Sequence, residues 1–181
     1  MKKKETKQVT EAHHSLASKS KHNRIFVTWL LKTYGAEWLK ANGGIVDIAG
    51  GTGALALELT LEHDIPTVLI EPKTLKLNTT NRKRCRKWRK KHNLEIVEKE
   101  GSINLAPITH LETEFHGISS SEGECAPEVL LALQDCAIIV GMHPDQATGA
   151  IVEAAILLGK PWAIVPCCVF GHLFPYRMTP D

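Results

Sequence analysis

Short apolar runs alternate with longer helix-like segments along most of this 181-residue chain. Apolar runs of about four to eight residues bounded by turn residues are typical of buried strands, and longer Ala-, Leu- and Glu-rich segments are typical of helices. Strands that alternate with helices predict an α/β fold with a mostly parallel sheet and helices on both faces. The predicted strands are 45–48, 67–70, 94–97, 136–140 and 162–165.

The segments between the strands complete this outline. Residues 1–22 are polar without apolar periodicity and predict a flexible tail, which leaves residues 23–181 as one domain. Asn23 is the expected N-cap of the first helix. Residues 98–126 are polar and irregular, so we expect a long loop there. The predicted helices are 24–40, 54–63, 75–91, 128–133 and a last one that Asp145 or Thr148 begins and Leu158 ends.

The most informative stretch, residues 45–73, has the order strand, glycine turn, helix, strand and acid. Glycines in the turn 49–53 let the backbone reverse sharply and let a ligand approach without a Cβ in the way. Free N–H groups at the start of the helix after Gly53 form an electropositive cradle. Glu71 ends the second strand, where a carboxylate can hydrogen-bond the two hydroxyls of a ribose. The stretch therefore predicts the first half of a nucleotide-binding unit.

Two cofactor types and a ligand-free turn all fit this pattern. Residues 51–56 match G-x-G-x-x-A with Glu71 about 20 residues further on, as in dinucleotide binders. Residues 47–53 instead match a motif in which an acid, Asp47, precedes the glycines. The third interpretation is a structural turn without a ligand. The pattern supports a class of cofactor and names no substrate.

The run VDIAGGTG, with Asp47 in the strand and Gly-Thr-Gly closing the loop, resembles the first motif of class I S-adenosylmethionine-dependent methyltransferases. The sequence departs from that family at Ala49, where glycine is usual. The resemblance implies a Rossmann-like methyltransferase fold in which the loop backbone holds the methionine part of S-adenosylmethionine, Asp47 orders the loop and Glu71 binds the ribose. The implied cofactor-binding residues are Asp47, Ala49, Gly50, Gly51, Gly53 and Glu71.

Two later motifs make the sequence similar to one subgroup of that family. HPDQAT, residues 143–148, follows the fourth predicted strand, and PCC, residues 166–168, follows the fifth. Members with these motifs are mostly eukaryotic proteins without an assigned substrate, and the wider PCC group includes tRNA ribose methyltransferases. Cys167 or Cys168 would either carry a methylated-thiol intermediate or brace the loop as small buried residues.

The turn after the fourth strand supplies the candidates for acid–base catalysis. His143 is the predicted general base, since histidine titrates near neutral pH, and Asp145 is the predicted residue that orients it. In the alternative, Pro144 shapes the turn, Asp145 caps the following helix and His143 is an exposed polar residue.

Parallel topology predicts that these motifs meet. Ligands of open α/β sheets bind outside the carboxyl ends of the strands. We therefore expect four segments to converge at one edge of the sheet, namely 49–53, 71–73, 141–145 and 166–168.

Charge is divided unevenly along the chain. Residues 1–91 hold 19 Lys and Arg against 8 Asp and Glu, and residues 92–181 hold 3 against 12. Eight of the eleven residues from Arg82 to His92 are Lys or Arg, too many for one helix to bury. The run predicts either a nucleic-acid-binding or nuclear-import patch, with RNA as a candidate, or a solvated helix face. The candidate RNA contacts are Arg82, Lys83, Arg84, Arg86, Lys87, Arg89, Lys90 and Lys91.

Composition bears on where in the cell the protein is expected and on the state of its cysteines. No apolar run is long enough to span a bilayer, and the N-terminus lacks the apolar segment of a secretory signal, so we expect a cytoplasmic or nuclear protein that does not enter a membrane. The five cysteines form no C-x-x-C pair, which predicts reduced thiols and no metal site.

Three functional hypotheses follow, and the length of the expected domain bears on them. Class I methyltransferases usually continue past the fifth strand with a helix and a β-hairpin, whereas this chain stops at Asp181, so the resemblance implies a C-terminally incomplete domain. The first hypothesis is an S-adenosylmethionine-dependent methyltransferase of unknown acceptor, with RNA as a candidate. The second is a non-catalytic binding module that uses the basic helix 82–91. The third, a nicotinamide-dependent oxidoreductase, lacks room for a substrate domain.

Overall fold

A computed structural model of the chain describes residues 16–94, 98–99, 102–103, 107–120 and 123–166. Within these residues the helices are α1 (Leu16–Tyr34), α2 (Ala36–Ala41), α3 (Ala54–His63), α4 (Thr79–Lys91), α5 (Pro127–Asp135) and α6 (Thr148–Leu158), with a 3₁₀ helix at Asp145–Ala147. The strands are β1 (Ile45–Ile48), β2 (Thr67–Ile70), β3 (Glu98–Lys99), β4 (Ser102–Ile103), β5 (Thr109–Leu111), β6 (Ser119–Ser120), β7 (Gly123–Glu124), β8 (Ile138–Met142) and β9 (Trp162–Val165).

Five of these strands form one parallel sheet in the order β5-β2-β1-β8-β9. Counted along the chain, this is the order 3-2-1-4-5 of a Rossmann-like sheet. The chain winds outward from β1 through β2 to β5 and then returns to place β8 on the other side of β1. The predicted α/β fold with a parallel sheet is confirmed.

Side chains of the central strands alternate between two helical layers, as they must in a strand with both faces buried. Ile45, Ile138 and Val140 pack with α1, α2 and α3 in one core. Val46 and Ile139 lie on the opposite face and pack with α5 and α6. Helices therefore cover both faces of the sheet, as the alternation predicted.

The third strand of the sheet is not where the sequence placed it. The strand beside β2 is β5, Thr109–Leu111, and not the predicted segment 94–97. Leu94 is not in a strand, and residues 95–97 lie outside the described part of the chain. The expected loop 98–126 contains β5 and two small antiparallel pairs, β3 with β4 and β6 with β7.

The predicted helix 24–40 is divided at Gly35 into α1 and α2, and the starts of α1 and α4 also differ from the prediction. The first helix begins at Leu16, so residues 16–22 are helical rather than part of a flexible tail, and Asn23 lies inside the helix instead of capping it. α4 begins at Thr79, later than predicted, because the side chain of Asn78 caps it by accepting a hydrogen bond from the Asn81 amide at 2.8 Å.

The fourth strand and the last helix are shifted in detail. β8 runs two residues past the predicted end and includes Gly141. Ala147 occupies the N-cap of α6, so neither Asp145 nor Thr148 caps this helix with its side chain. α6 ends at Leu158, as predicted, and Gly159 follows it in the left-handed conformation. In the described ranges, no helix is long and apolar enough to cross a membrane.

Candidate functional site

The glycine turn between β1 and α3 alternates between right- and left-handed backbone. Ala49, Gly51 and Gly53 have φ of 56°, 57° and 66°, values that glycine adopts without strain. Ala49 adopts this conformation although it carries a Cβ, at a cost of about 1 kcal/mol. It is the position at which the resembled family has glycine. The amide of Ala49 donates to the carbonyl of Ile70 at 2.8 Å, which ties the turn to the end of β2.

The glycines of the turn serve different purposes. A Cβ on Gly50 would lie 2.4 Å from Oδ2 of Asp47 and 2.6 Å from Leu69, so the turn packs directly on the Asp47 carboxylate. A Cβ on Gly51 would meet no atom within 4 Å. Gly51 therefore presents bare backbone to open space at the carboxyl edge of the sheet, where a ligand can reach it.

Glu71 is held against this turn. Its carboxylate is buried, with 6% of the residue exposed, and Oε2 accepts a hydrogen bond from the Gly51 amide at 2.9 Å. Oε1 accepts a second from the amide of Lys73 at 3.2 Å. The imidazole Nε2 of His110, on β5, lies 2.9 Å from the Glu71 carbonyl. The contact between segments 49–53 and 71–73 that the topology predicted is thus present.

Asp47 lies beneath the turn and is fully buried. Among the described residues neither carboxylate oxygen has a hydrogen-bond partner. Burial raises the pKa of Asp47 to about 7, and the nearby Glu71 carboxylate adds to the rise. The backbone N–H of Ala56 points its positive end towards the Asp47 carboxylate and partly lowers the pKa, although it is not placed to form a hydrogen bond. An unpaired buried acid is a costly feature that structures retain mainly at functional sites.

His143 and Asp145 lie in a second strained turn, at the end of β8. Their φ values are 56° and 48°, and left-handed residues other than glycine concentrate at functional sites. Both residues are exposed, and the His143 amide donates to the Val165 carbonyl at 2.8 Å, which joins the ends of β8 and β9. Cys167 and Cys168, predicted to meet them, lie outside the described residues.

A cavity of about 700 Å³ opens beside His143, on the side of the sheet that α1 covers. Its size is that of a small-molecule site. Phe26 and Trp29 of α1 both line this space, Phe26 as part of the buried core and Trp29 with 46% of its surface exposed. The cavity does not include the glycine turn. It is lined by His22, Ile25, Phe26, Trp29, Met142, His143, Trp162, Ala163, Ile164 and Val165.

The basic helix α4 divides its cations between two faces. Nη2 of Arg84 lies 3.0 Å from Glu58 and 2.8 Å from Glu62, both on α3. Nζ of Lys91 lies 2.9 Å from Asp64, at the end of α3. This hydrogen bond is the main reason why the pKa of Asp64 is lowered to about 2. Arg84 and Lys91, both candidate RNA contacts, are therefore paired with carboxylates of the protein itself.

The chain matches no protein-family model and no curated protein. Among solved structures it is similar to the X-ray structure of YjhP from E. coli, with 11% sequence identity over 86% of this chain and 49% of the YjhP chain, and a TM-score of 0.39. The chain spans about half the length of YjhP. The Rossmann-like fold rests on the strand order and the parallel pairing of the sheet, and the HPDQAT and PCC subgroup remains a prediction.

Proposed function

We propose that the protein is an S-adenosylmethionine-dependent methyltransferase. The observation that carries the proposal is the pair of buried carboxylates around an open glycine turn. Asp47 lies directly beneath Gly50, and Glu71 is hydrogen-bonded to the amide of Gly51. S-adenosylmethionine brings a sulfonium, an ammonium and a ribose, and two carboxylates suit its cations and hydroxyls.

The same arrangement argues against a dinucleotide. A pyrophosphate is an anion and is repelled by a carboxylate that lies directly beneath the glycine turn that would hold it. Here the unpaired Asp47 carboxylate lies below Gly50. A turn without any ligand would explain the positive φ values but not the buried, unpaired acid.

The residues fit the cofactor in three places. The backbone of residues 49–53 would hold the methionine part, with Asp47 ordering the turn and attracting the cationic groups. Glu71 would exchange its hydrogen bond to Gly51 for the ribose hydroxyls. The cofactor supplies an electrophilic methyl group to an acceptor bound nearby.

His143 is the proposed general base for a hydroxyl or amine acceptor. Its exposed imidazole lines the apolar cavity, so a group bound there lies beside it. Asp145, two residues further along the same strained turn, is the proposed residue that positions it. The aromatic and aliphatic lining suits a flat, apolar part of the acceptor, and a nucleobase of RNA has that character.

Calorimetric titration tests the cofactor. We expect the wild-type protein to bind S-adenosylmethionine and S-adenosylhomocysteine, and not NAD. Glu71→Gln removes the ribose-binding charge and should weaken binding at least tenfold, equivalent to about 1.4 kcal/mol. Glu153→Gln, an exposed glutamate on α6, is the matched control and should bind like wild type. No heat with either compound at millimolar concentration would refute the proposal, as would tighter binding of NAD.

A second candidate function is a non-catalytic binding module that keeps this fold. The exposed cations of α4 favour it, because a surface of that charge does not require a cofactor to bind a partner. The same titration separates the two functions, since the module alone predicts no affinity for S-adenosylmethionine.

A further inference from the structure

The outer face of α4 carries four exposed cations, Lys83, Arg86, Lys87 and Lys90. They occupy positions i, i+3, i+4 and i+7, which lie on one face of a helix. We refer to these four residues as the α4 stripe. In the portion of the chain that the structure describes, none of the four side chains makes an ion pair or a hydrogen bond.

The opposite face of α4 attaches the helix to the domain. Cys85 is buried against α3 and β2, and Arg84 and Lys91 pair with carboxylates of the α3 region. Trp88 donates its indole N–H to Asp64 at 2.7 Å and stacks on His92 at 4.1 Å between ring centroids. The packing of the helix therefore depends on this inner face and does not use the stripe.

The stripe is unfavourable for the isolated domain. Like charges at i, i+3 and i, i+4 destabilise a helix by roughly 0.2–0.5 kcal/mol per pair. Lys83 with Arg86, Lys83 with Lys87, Arg86 with Lys90 and Lys87 with Lys90 are four such pairs. An anionic partner would turn these repulsions into attraction.

We propose that the α4 stripe binds the phosphate backbone of a nucleic acid. Lys83 and Lys90 are separated by about 10 Å along the helix, close to three intervals of about 3.4 Å along a nucleic-acid strand, which is the span of four phosphates. The stripe contains no aromatic side chain on which a base could stack, so the contacts are to phosphates and independent of sequence. An anionic membrane fits less well, because the face offers no apolar side chain to insert.

This surface is separate from the cofactor site, so its test is valid whether or not S-adenosylmethionine binds. Fluorescence anisotropy with a labelled 20-nucleotide RNA and a DNA of the same sequence is measured between 50 and 200 mM salt. Four phosphate contacts on a single strand predict a slope of about −2.8 in log K against log salt, or a roughly fifty-fold loss of affinity over this range. Binding of either oligonucleotide supports the proposal, and the ratio of the two affinities shows whether the stripe prefers RNA or DNA.

Matched charge variants locate the contacts. Lys87→Gln with Lys90→Gln should lower the salt slope to about −1.4, or a roughly seven-fold loss over the same range. Lys21→Gln with Lys32→Gln removes two exposed lysines of α1 and should leave the slope near −2.8. Glutamine is a good helix former, and thermal unfolding checks that both variants remain folded.

Three results would overturn the proposal. An equal loss in both double variants would show that net charge, and not the stripe, governs binding. Unchanged affinity in the stripe variant would place the contacts elsewhere. Sedimentation with phosphatidylserine vesicles by a protein that binds neither oligonucleotide would identify a lipid surface instead.

Discussion

Asp47 links folding to pH at the scale of a single residue. Its pKa rises from 3.8 in the unfolded chain to about 7 in the fold, so the folded state binds the proton more tightly. The contribution of the Asp47 carboxyl to the free energy of unfolding is fully present below pH 4 and is lost as the pH rises through 7. The shift corresponds to about 4 kcal/mol. We expect Asp47→Asn, which cannot ionise, to remove this decline, so that the variant gains stability over wild type between pH 4 and 8.

Urea unfolding at several pH values measures the effect. Asp135→Asn, at an exposed position at the end of α5, is the control and should keep the wild-type decline. Parallel pH profiles for wild type and Asp47→Asn would show that the buried carboxylate stays ionised through a partner, contrary to this expectation.

The part of the site that sequence could predict is the placement of single residues. Asp47, in the strand before the glycines, and Glu71, at the end of the next strand, were expected at the turn, and the structure places both there. The unfavourable φ of Ala49 could not be predicted, since only the fold shows that this position is left-handed. The contribution of His110 was missed because it is brought to Glu71 by β5, a strand that the sequence did not reveal.

At the scale of elements, α3 and α4 are joined by a small network of charges. Arg84 is half-buried and reaches both Glu58 and Glu62, while Arg86, two residues along, is exposed on the stripe. Arg84→Met should destabilise the domain by about 1 kcal/mol, because the partly buried Glu58 loses its nearest cation and keeps only Arg24, at 4.0 Å. Arg86→Met should change stability by less than about 0.5 kcal/mol.

Thermal unfolding of the two variants provides the comparison. For a chain of this size, 1 kcal/mol corresponds to a shift of about 2–4 °C in Tm. Equal shifts for both arginines would mean that the two faces of α4 contribute alike, and the division between a structural face and a free stripe would be incorrect.

The elements that sequence located well are those with strong periodic or turn signals. β1, β2 and β9 have the predicted bounds because each is a short apolar run between turn residues. β5 was missed because an edge strand of three residues, Thr-His-Leu, is bound to one neighbour and need not be apolar. The extension of β8 to Gly141 was missed because glycine is rare in strands. A Cβ at this position would lie 3.0–3.1 Å from Pro144 and Ile151, so a larger residue would push these neighbours aside.

At the scale of the whole molecule, the two candidate sites lie on different halves of the sheet. Strands after β1 are added first on one side of it, as β2 and β5, and then on the other side, as β8 and β9. Ligands of doubly wound sheets bind at the point where the strand order reverses in this way, between β1 and β8. The glycine turn and Glu71 lie on the β1–β2 side, and the apolar cavity lies on the β8–β9 side, with His143 at its rim. Cofactor and acceptor would thus approach the carboxyl edge from opposite halves.

The cavity half can be tested without knowing the acceptor. The fluorescent dye 8-anilinonaphthalene-1-sulfonate binds apolar cavities, and we expect one dye per folded chain.

Trp162 lines the cavity and is 44% exposed, whereas Trp38 is 42% exposed but lies outside it. Trp162→Ser should therefore weaken dye binding at least tenfold and Trp38→Ser should not, because apolar contact with a large buried side chain contributes about 1.5–3 kcal/mol. Saturating S-adenosylhomocysteine should leave the dye bound, since the two ligands occupy separate halves. Displacement of the dye would instead mean that the cavity is part of the cofactor site, and equal binding by both tryptophan variants would place the dye elsewhere.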